Sequence, residues 1–344
     1  MIGRFLTLAG VPGGLSWGPT DHLAQAAESA RHVQSSSTLG TGSVSSEVVI
    51  IVVTYESERD ITHCLESILT STLKSSVIVV DNASKDGTVD LIRRQFPEVT
   101  LIVLPENTGF AAACNRGILA STEKYCVFLN PDACLSPETI ENLIHVAEQH
   151  PFIGILGPRV LDEDGVSVQP SYRSFPTTLM LFFHRFSILN RIFPNNPWRR
   201  RYLLLERHIS EPTPVDWVSG CCMLVRRHVL NILGGFDEQF FLYSEDVDLC
   251  LRARQAGWLT YYNPWTSVTH RIGGSTRSVR PLIERHRSIW RYYRKHLWSD
   301  RVSINTLILL ALTARCSALV VKKACGELWR RVRLGRTQRV GLHG

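Results

Sequence analysis

No glycine-rich turn follows the first long apolar run of this chain. The segment after Val48 to Val53 reads Thr54-Tyr55-Glu56-Ser57. It lacks the Gly-x-Gly-x-x-Gly that brings backbone against a pyrophosphate, and no P-loop occurs elsewhere, so Rossmann-type dinucleotide binding is disfavoured. The nine cysteines show no Cys-x-x-Cys spacing. Several lie inside apolar runs, Cys126 and Cys250 among them, and read as buried reduced thiols rather than metal ligands or disulfides. A signal peptide is not expected: Ile2 to Val11 is apolar but broken by Arg4 and Gly10 and followed by Pro12, with no clear charged start or cleavage site. The apolar stretch Asn305 to Val321 falls short of the ~20 residues of a spanning helix and contains Arg315. No recognisable RNA or DNA module accompanies the basic residues, so nucleic acid is not an expected partner.

What is present is a chain of buried-strand signals, each followed by a helical pattern. Val48 to Val53 is continuously apolar and β-branched, as expected of a strand covered on both faces. Ser76 to Val80, Thr100 to Leu104 and Tyr125 to Leu129 repeat the pattern. Between them, Ile61, Leu65, Ile68 and Leu69 share a helix face, Val89 to Phe96 supplies a second helix, and Ala111 to Leu119 a third. Strands alternating with helices predict a mainly parallel sheet with right-handed crossovers. The 344 residues suit one large α/β domain with appendages.

Carboxylates stand where open α/β sheets bind ligands, just past strand ends. Asp81-Asn82-Ala83-Ser84 ends one run, Asn130-Pro131-Asp132 ends another, and Glu245-Asp246 opens an amphipathic helix. Together they suggest a nucleotide, a divalent cation and a proton acceptor in one site. Asn130-Pro131-Asp132 also reads as a turn, and Glu245-Asp246 as acidic capping of a helix start.

From Val48 to about His270 the chain resembles a family 2 glycosyltransferase of the GT-A, nucleotide-diphospho-sugar transferase fold, and within it the rhamnosyltransferase-type branch. The residues carrying the resemblance are Val52-Val53-Thr54-Tyr55, Val79 to Ser84, Asn107-Thr108-Gly109-Phe110-Ala111 with Asn115-Arg116-Gly117, and Leu129 to Asp132. Trp217-Val218-Ser219-Gly220, Gly234 to Glu238 and Glu245 to Leu249 complete them in family order. The processive polysaccharide synthases, by contrast, carry long membrane helices and a Gln-x-x-Arg-Trp signature, and this chain shows neither.

The resemblance implies an inverting, Mg²⁺- or Mn²⁺-dependent transfer from a dTDP- or UDP-sugar, dTDP-L-rhamnose foremost. The implied acceptor is a saccharide, lipid-linked in cell-surface polysaccharide synthesis. Asp81 is assigned to the nucleobase, with Thr54, Tyr55 and Glu56 beside base or ribose. Asn107, Gly109, Asn115, Arg116 and Asn130 line the nucleotide. Many relatives hold the metal with Asp-x-Asp, whereas here only Asp132 of Asn130-Pro131-Asp132 is a carboxylate, and His270 is a further ligand. Asp246 is the general base, with Glu245 beside it, because an in-line displacement needs a proton acceptor opposite the leaving group. Asp248 points elsewhere on the helix. Trp217 and Tyr243 are candidates for stacking on sugar or for the core, and Phe175 to Phe193 for an acceptor or membrane face.

The charge is concentrated at one end. Arg271 to Gly344 holds seventeen Lys or Arg and three Asp or Glu, a net of +14, so the preceding residues carry −7 of the chain's formal +7. In that tail, His286 to Lys295 interleaves aromatics with cations. Asn305 to Val321, followed by Lys322, Lys323, Arg330, Arg331 and Arg333, reads as an interfacial helix on anionic headgroups. The alternative is a helix packed on the catalytic domain with a solvated basic face. The expected division is a poorly ordered extension over 1–46, a GT-A domain over 47–275 and a basic helical region over 276–344. The expected location is cytoplasmic, peripheral on the plasma membrane.

Overall fold

The computed structural model describes residues 47–178, 202, 209–271 and 279–340, with side chains through residue 325. The expectations for 1–46, for Phe175 to Phe193 beyond residue 178, and for the side chains of Arg330, Arg331 and Arg333 lie outside the described residues. Residues 44–344 form one compact unit.

The first half of the sheet follows the sequence pattern. Strands β1 (Val48–Thr54), β2 (Ser76–Asp81), β3 (Thr100–Val103) and β4 (Tyr125–Leu129) pair in parallel in the order β3-β2-β1-β4. Helices α1 (Ile61–Leu69), α2 (Thr88–Gln95) and α3 (Phe110–Leu119) connect them. All seven residues of β1 are buried because its two faces feed two cores. Val48, Ile50 and Val52 face one side, with Leu65 and Ile68 of α1 in the same core. Val49, Ile51 and Val53 face the other, with Ala113 and Cys114 of α3. Gly117 permits that close packing, since a Cβ there would stand 2.5 Å from the Ile51 Cγ2. β3 departs from the buried pattern: Thr100 and Val103 are exposed, because β3 is the sheet edge.

The second half is antiparallel or mixed. After β5 (Ala133–Leu135) and α4 (Thr139–Gln149) come β6 (Ile153–Leu161), β7 (Val168–Gln169), β8 (Tyr172–Arg173), β9 (Thr213–Val215), β10 (Trp217–Val218) and β11 (Cys222–Arg226). Then follow α5 (Arg227–Leu233), α6 (Glu245–Gln255) and β12 (Leu259–His270). β11 runs antiparallel to both β4 and β6, β12 joins parallel to β6, and β5 closes the far side antiparallel to β12. The parallel sheet of the sequence reading is therefore the first half of a mixed sheet. Seven of the nine cysteines are free and buried or partly buried within these elements. Burial pushes the Cys222 and Cys250 thiols up to about 12, as suits inert core residues.

Two helices follow the sheet, α7 (Arg280–His296) and α8 (Val302–Val340). The expectation that the tail's apolar stretch is too short to cross a bilayer is corrected: the continuous helix gives Val302–Cys325, 24 residues long and apolar enough by length and composition. Only one face is covered. Asn305, Ile308 and Leu312 are buried, the last two against Tyr293 of α7, while Leu307, Leu309 and Leu310 are exposed. The expected boundary at 275/276 precedes a helix that is bound to the core: Ser288 Oγ donates to the Leu242 carbonyl at 2.8 Å, and Tyr292 is buried in the α3–α6 side of the core.

Candidate active site

The C-terminal ends of β1, β2 and β4 lie side by side, with Thr54 opposite Asp81 and Val52 opposite Leu129. The Thr54 hydroxyl donates to Asp81 Oδ2 at 2.8 Å. Ser84 donates through its backbone N–H to Oδ1 at 2.9 Å and through its hydroxyl to Oδ2 at 2.6 Å. A carboxylate offers about four acceptor positions, so Asp81 keeps one free. Glu56 is exposed with its N–H on the Ser84 hydroxyl, and Tyr55 is 40% exposed. Neither Ser84 nor Asn82 was given a role from the sequence. The Asn82 amide donates to the Gly109 carbonyl and accepts from the Thr108 N–H, and the Gly109 N–H donates to Asn107 Oδ1. These bonds fix the 107–109 loop beneath Asp81.

Gly109 has φ 92°, and a Cβ there would stand 2.6 Å from the Phe241 carbonyl oxygen. Phe110 donates its N–H to that oxygen at 2.7 Å, which ties the loop to the segment leading into α6. Asn115 is committed elsewhere. Its Oδ1 accepts the Phe236 N–H, and its Nδ2 donates to the Phe236 carbonyl and to Glu238, so the side chain braces the 235–238 loop. Arg116 is exposed on α3.

Asn130 donates its N–H to the Cys221 carbonyl, and its own carbonyl accepts from Ala133, three residues on. The segment is thus a turn, and the turn presents Asp132. Asp132 Oδ1 is buried without a hydrogen bond, although Nε2 of His270 lies 3.2 Å away. Gln169 directs its Nε2 at three acceptors: the Leu161 carbonyl, Asp162 Oδ1 and the His270 carbonyl. Its Oε1 therefore faces His270 Nδ1 at 3.1 Å and must accept the ring N–H. With the ring neutral, Nε2 would then turn a lone pair toward the carboxylate oxygen, and with the ring protonated the two groups would form an ion pair. Two ligand atoms ~2.1 Å from one Mg²⁺-sized cation and at right angles would lie ~3.0 Å apart. Asp132 and His270 fit that spacing, and a ligating histidine commonly donates its other ring N–H to a fixed acceptor. Among the described residues no cluster of three or more potential ligands occurs, so substrate oxygens and water would have to complete the shell. Sequence reasoning missed Gln169, whose only signal is structural.

Asp246 is held by backbone. Oδ2 accepts the Gly220 N–H at 3.0 Å and Oδ1 the Val247 N–H at 2.8 Å. Residues 219–221 leave the sheet beside the end of β4, because Cys222 pairs with Leu129. The Asn130 turn and Asp246 thus share one strip of backbone. The adjacent Glu245 is 6% exposed and leaves Oε2 buried without a partner. Burial, then the Asp246 charge, pushes the Glu245 carboxyl well above the usual range. Burial also raises Asp246, against the pull of the Gly220 and Val247 N–H groups and Arg173. Burial acts on both carboxyls, and the Gly220 N–H, donated from another segment, offsets it at Asp246 alone.

Asp248 is fully buried, and its environment opposes burial. Hydrogen bonds from His296 and Lys295, with the Arg252 guanidinium, hold its carboxyl down to about 2. It is an ion-pair centre. Trp217 is 8% exposed, donates Nε1 to the Ser174 carbonyl and lies under Arg173, so it belongs to the core.

The family model of glycosyl transferase family 2 matches residues 49–233. The chain is 36% identical over 239 residues to the N-acetylglucosaminyl-diphospho-decaprenol L-rhamnosyltransferase of Mycobacterium tuberculosis, covering 66% of this chain and 76% of that protein. It is 27% identical over 261 residues to the dTDP-rhamnosyl transferase RfbF of Shigella flexneri, covering 73% and 78%. Among solved structures, the mannosyltransferase PcManGT of Pyrobaculum calidifontis, in complex with GDP-Man and Mn²⁺, superposes with a TM-score of 0.53 at 18% identity, covering 93% of this chain and 91% of that one. The α/β fold is of the GT-A type.

Proposed function

The chain belongs to glycosyl transferase family 2 and is a rhamnosyltransferase-like glycosyltransferase, and from that premise we propose that it transfers L-rhamnose from dTDP-rhamnose, with inversion, to a lipid-linked saccharide in cell-surface polysaccharide synthesis. The sugar and acceptor rest on the names of the relatives. The reaction rests on one observation: Asp81 and the Asn130 turn that presents Asp132 lie past the C-terminal ends of neighbouring parallel strands, with His270 3.2 Å from Asp132 and Asp246 bonded to Gly220 beside the end of β4.

In this reading Asp81 takes the ring N–H of the pyrimidine on its free acceptor position, and Thr54 and Ser84 keep the carboxylate aimed. Asp132 and His270 hold a Mg²⁺ or Mn²⁺ ion, which would offset the charge that builds on the departing diphosphate. Gln169 keeps His270 in the ligating tautomer. Asp246 takes the proton of the attacking acceptor hydroxyl, with Glu245 buried beside it. Asn115 acts through the 235–238 loop rather than on the nucleotide.

We place the enzyme on the cytoplasmic surface of the membrane. The N-terminal part of α8 packs on α7 through Asn305, Ile308 and Leu312, which supports a helix lying along the domain. Leu307, Leu309 and Leu310 then meet lipid. Half-exposed Trp298, at the turn before α8, suits a headgroup-level anchor.

The test is donor hydrolysis by the purified full-length enzyme across a panel of sugar nucleotides. dTDP-rhamnose should be cleaved fastest, and faster still with a polyprenyl-diphosphate saccharide present. Preference for a different sugar nucleotide would overturn the donor assignment and leave the reaction class standing.

A further inference from the structure

The backbone that delivers Asp246 is strained at the two residues before α6. Tyr243 and Ser244 have φ of 71° and 68°, consecutive left-handed conformations in residues that carry a Cβ. Such pairs persist only where their surroundings over-determine them, and they cluster at functional sites. Its local support is backbone alone: Ser244 occupies the N-cap of α6, accepts the Asp248 N–H on its carbonyl and makes no side-chain cap bond.

The surroundings that fix the loop come from α7, on the far side of β12 in the chain. Its side chains grip four successive loop residues. Lys295 Nζ lies 5.7 Å from the Phe240 ring centre, and the Arg280 guanidinium lies 4.6 Å from that of Phe241. Ser288 Oγ donates to the Leu242 carbonyl at 2.8 Å, and the Arg285 guanidinium covers the Tyr243 ring at 4.6 Å. Lys295 also binds both flanks of the loop, Asp237 Oδ2 at 2.5 Å and Asp248 Oδ1 at 2.7 Å. On the opposite side the Phe110 N–H pins the Phe241 carbonyl. The alternation of cations and aromatics in His286 to Lys295 reads in sequence like a lipid- or nucleic-acid-binding stretch. In the fold, Tyr292 and Tyr293 are buried, and Arg280, Arg285 and Lys295 reach the loop.

We propose that α7 is a clamp for the catalytic loop, with Arg285 and Lys295 as positioning residues that hold Tyr243 and Ser244 left-handed and so aim the Asp246 carboxylate. The proposal rests on Asp246 being the general base. It makes the first part of the basic tail a component of the active site, present whether or not α8 meets a membrane.

The experiment compares full-length wild type, Arg285→Leu, Arg285→Lys, the double variant Arg285→Leu/Ser244→Gly, and Asp246→Asn. Turnover is measured with the sugar nucleotide that the panel selects, dTDP affinity by calorimetry in Mn²⁺, and the melting temperature by calorimetry. Arg285→Leu should lower kcat by about tenfold or more, with dTDP affinity within about twofold of wild type, because the nucleotide half of the site is built without α7. Arg285→Lys should recover most of the loss, since an ammonium also sits well on a ring face. Adding Ser244→Gly to Arg285→Leu should recover part of it, because glycine takes a positive φ without steric cost. Normal kcat in Arg285→Leu, or a kcat loss accompanied by a matching loss of dTDP affinity, overturns the clamp. So does a double variant no better than Arg285→Leu. If Asp246→Asn turns over normally, the base assignment and the clamp fall together; if it is inactive while Arg285→Leu is normal, only the clamp falls.

Discussion

The strand-end half of the site and the helix-borne half are built by different means. Around Asp81 the bonds come from three successive βα units: Thr54 from β1, Ser84 from the turn after β2, and Asn82 reaching the 107–109 loop after β3. Around Asp246 only the Val247 N–H is local. Its carboxylate is held by Gly220, its loop by Gly109 and Phe110 on one side and α7 on the other. The first half is a rigid binding platform that local folding produces. The second is a strained loop that only the completed tertiary structure holds in place. Binding should therefore survive damage to the second half, whereas turnover should not survive damage to either.

The sharpest way to break that comparison is Asp246→Asn, which keeps shape but replaces the proton acceptor, and with it one of the two backbone-bound oxygens, by an amide NH₂. Turnover should fall by about two orders of magnitude or more, with nucleotide affinity nearly unchanged. A variant that turns over at the wild-type rate ends the assignment. Damage to the metal-facing pair should do the reverse and weaken binding first. Asp132→Ala should lose most Mn²⁺-supported nucleotide binding. Gln169→Leu, which touches neither metal nor substrate, should lower Mn²⁺ affinity by about 10- to 100-fold, as outer partners of metal-bound histidines do. Direct Mn²⁺ titration by electron paramagnetic resonance reads this without activity. Full turnover in excess EDTA would count against Asp132 and His270 as ligands.

The pH profile tests the acid pair. Burial raises the Asp246 carboxyl, so the base stays protonated to higher pH than an ordinary aspartate. The acidic limb of kcat/KM should therefore lie clearly above the ~4 of a free carboxylate, with activity lost as pH falls through it. A limb at or below that value would mean that the ionising group is not the buried pair.

A smaller effect is expected on stability. Asp248 has its carboxyl lowered to about 2 and is fully buried. A depressed carboxylate stabilises the fold above its unfolded value and loses that contribution as pH falls toward its folded value. Asp248→Asn should thus cost about 2 kcal/mol at neutral pH, with the difference from wild type shrinking between roughly pH 4 and 2. Chemical denaturation at both pH values checks it, and a constant difference would assign the stability to packing alone. Smallest of all on soluble turnover should be Leu307→Asp with Leu310→Asp. Both positions are exposed, so donor hydrolysis should be unchanged while flotation with anionic vesicles at low salt falls severalfold. Undiminished flotation would remove α8 from the membrane contact.

The parallel strands were legible because their signal is local. A continuous β-branched run such as Val48 to Val53 has no polar face to offer, so it must be covered on both sides, and its neighbours follow. The antiparallel half was not legible for the opposite reason. β11 is five residues long, and β6 is interrupted by Gly154, Gly157 and Pro158. The ends of the first-half strands carried Asp81 and Asp132 with them, and the Asp132–His270 approach agrees with the sequence reading. The bracing role of Asn115 was not legible because its partners, one donor and two acceptors, lie more than a hundred residues away in the chain.

The sequence alone determined the α/β class, the family resemblance and the carboxylates at the strand ends, since each depends on residues close together in the chain. Only the tertiary structure decided that Glu245 is buried beside Asp246, that Gln169 meets His270 Nδ1, and that Arg285 and Lys295 of α7 reach the loop before α6. Each of these is fixed by burial and by hydrogen bonds between distant segments: 26 residues separate Gly220 from Asp246, and 101 separate Gln169 from His270. Such contacts form only when the chain has closed on itself, and no periodicity along the sequence records them.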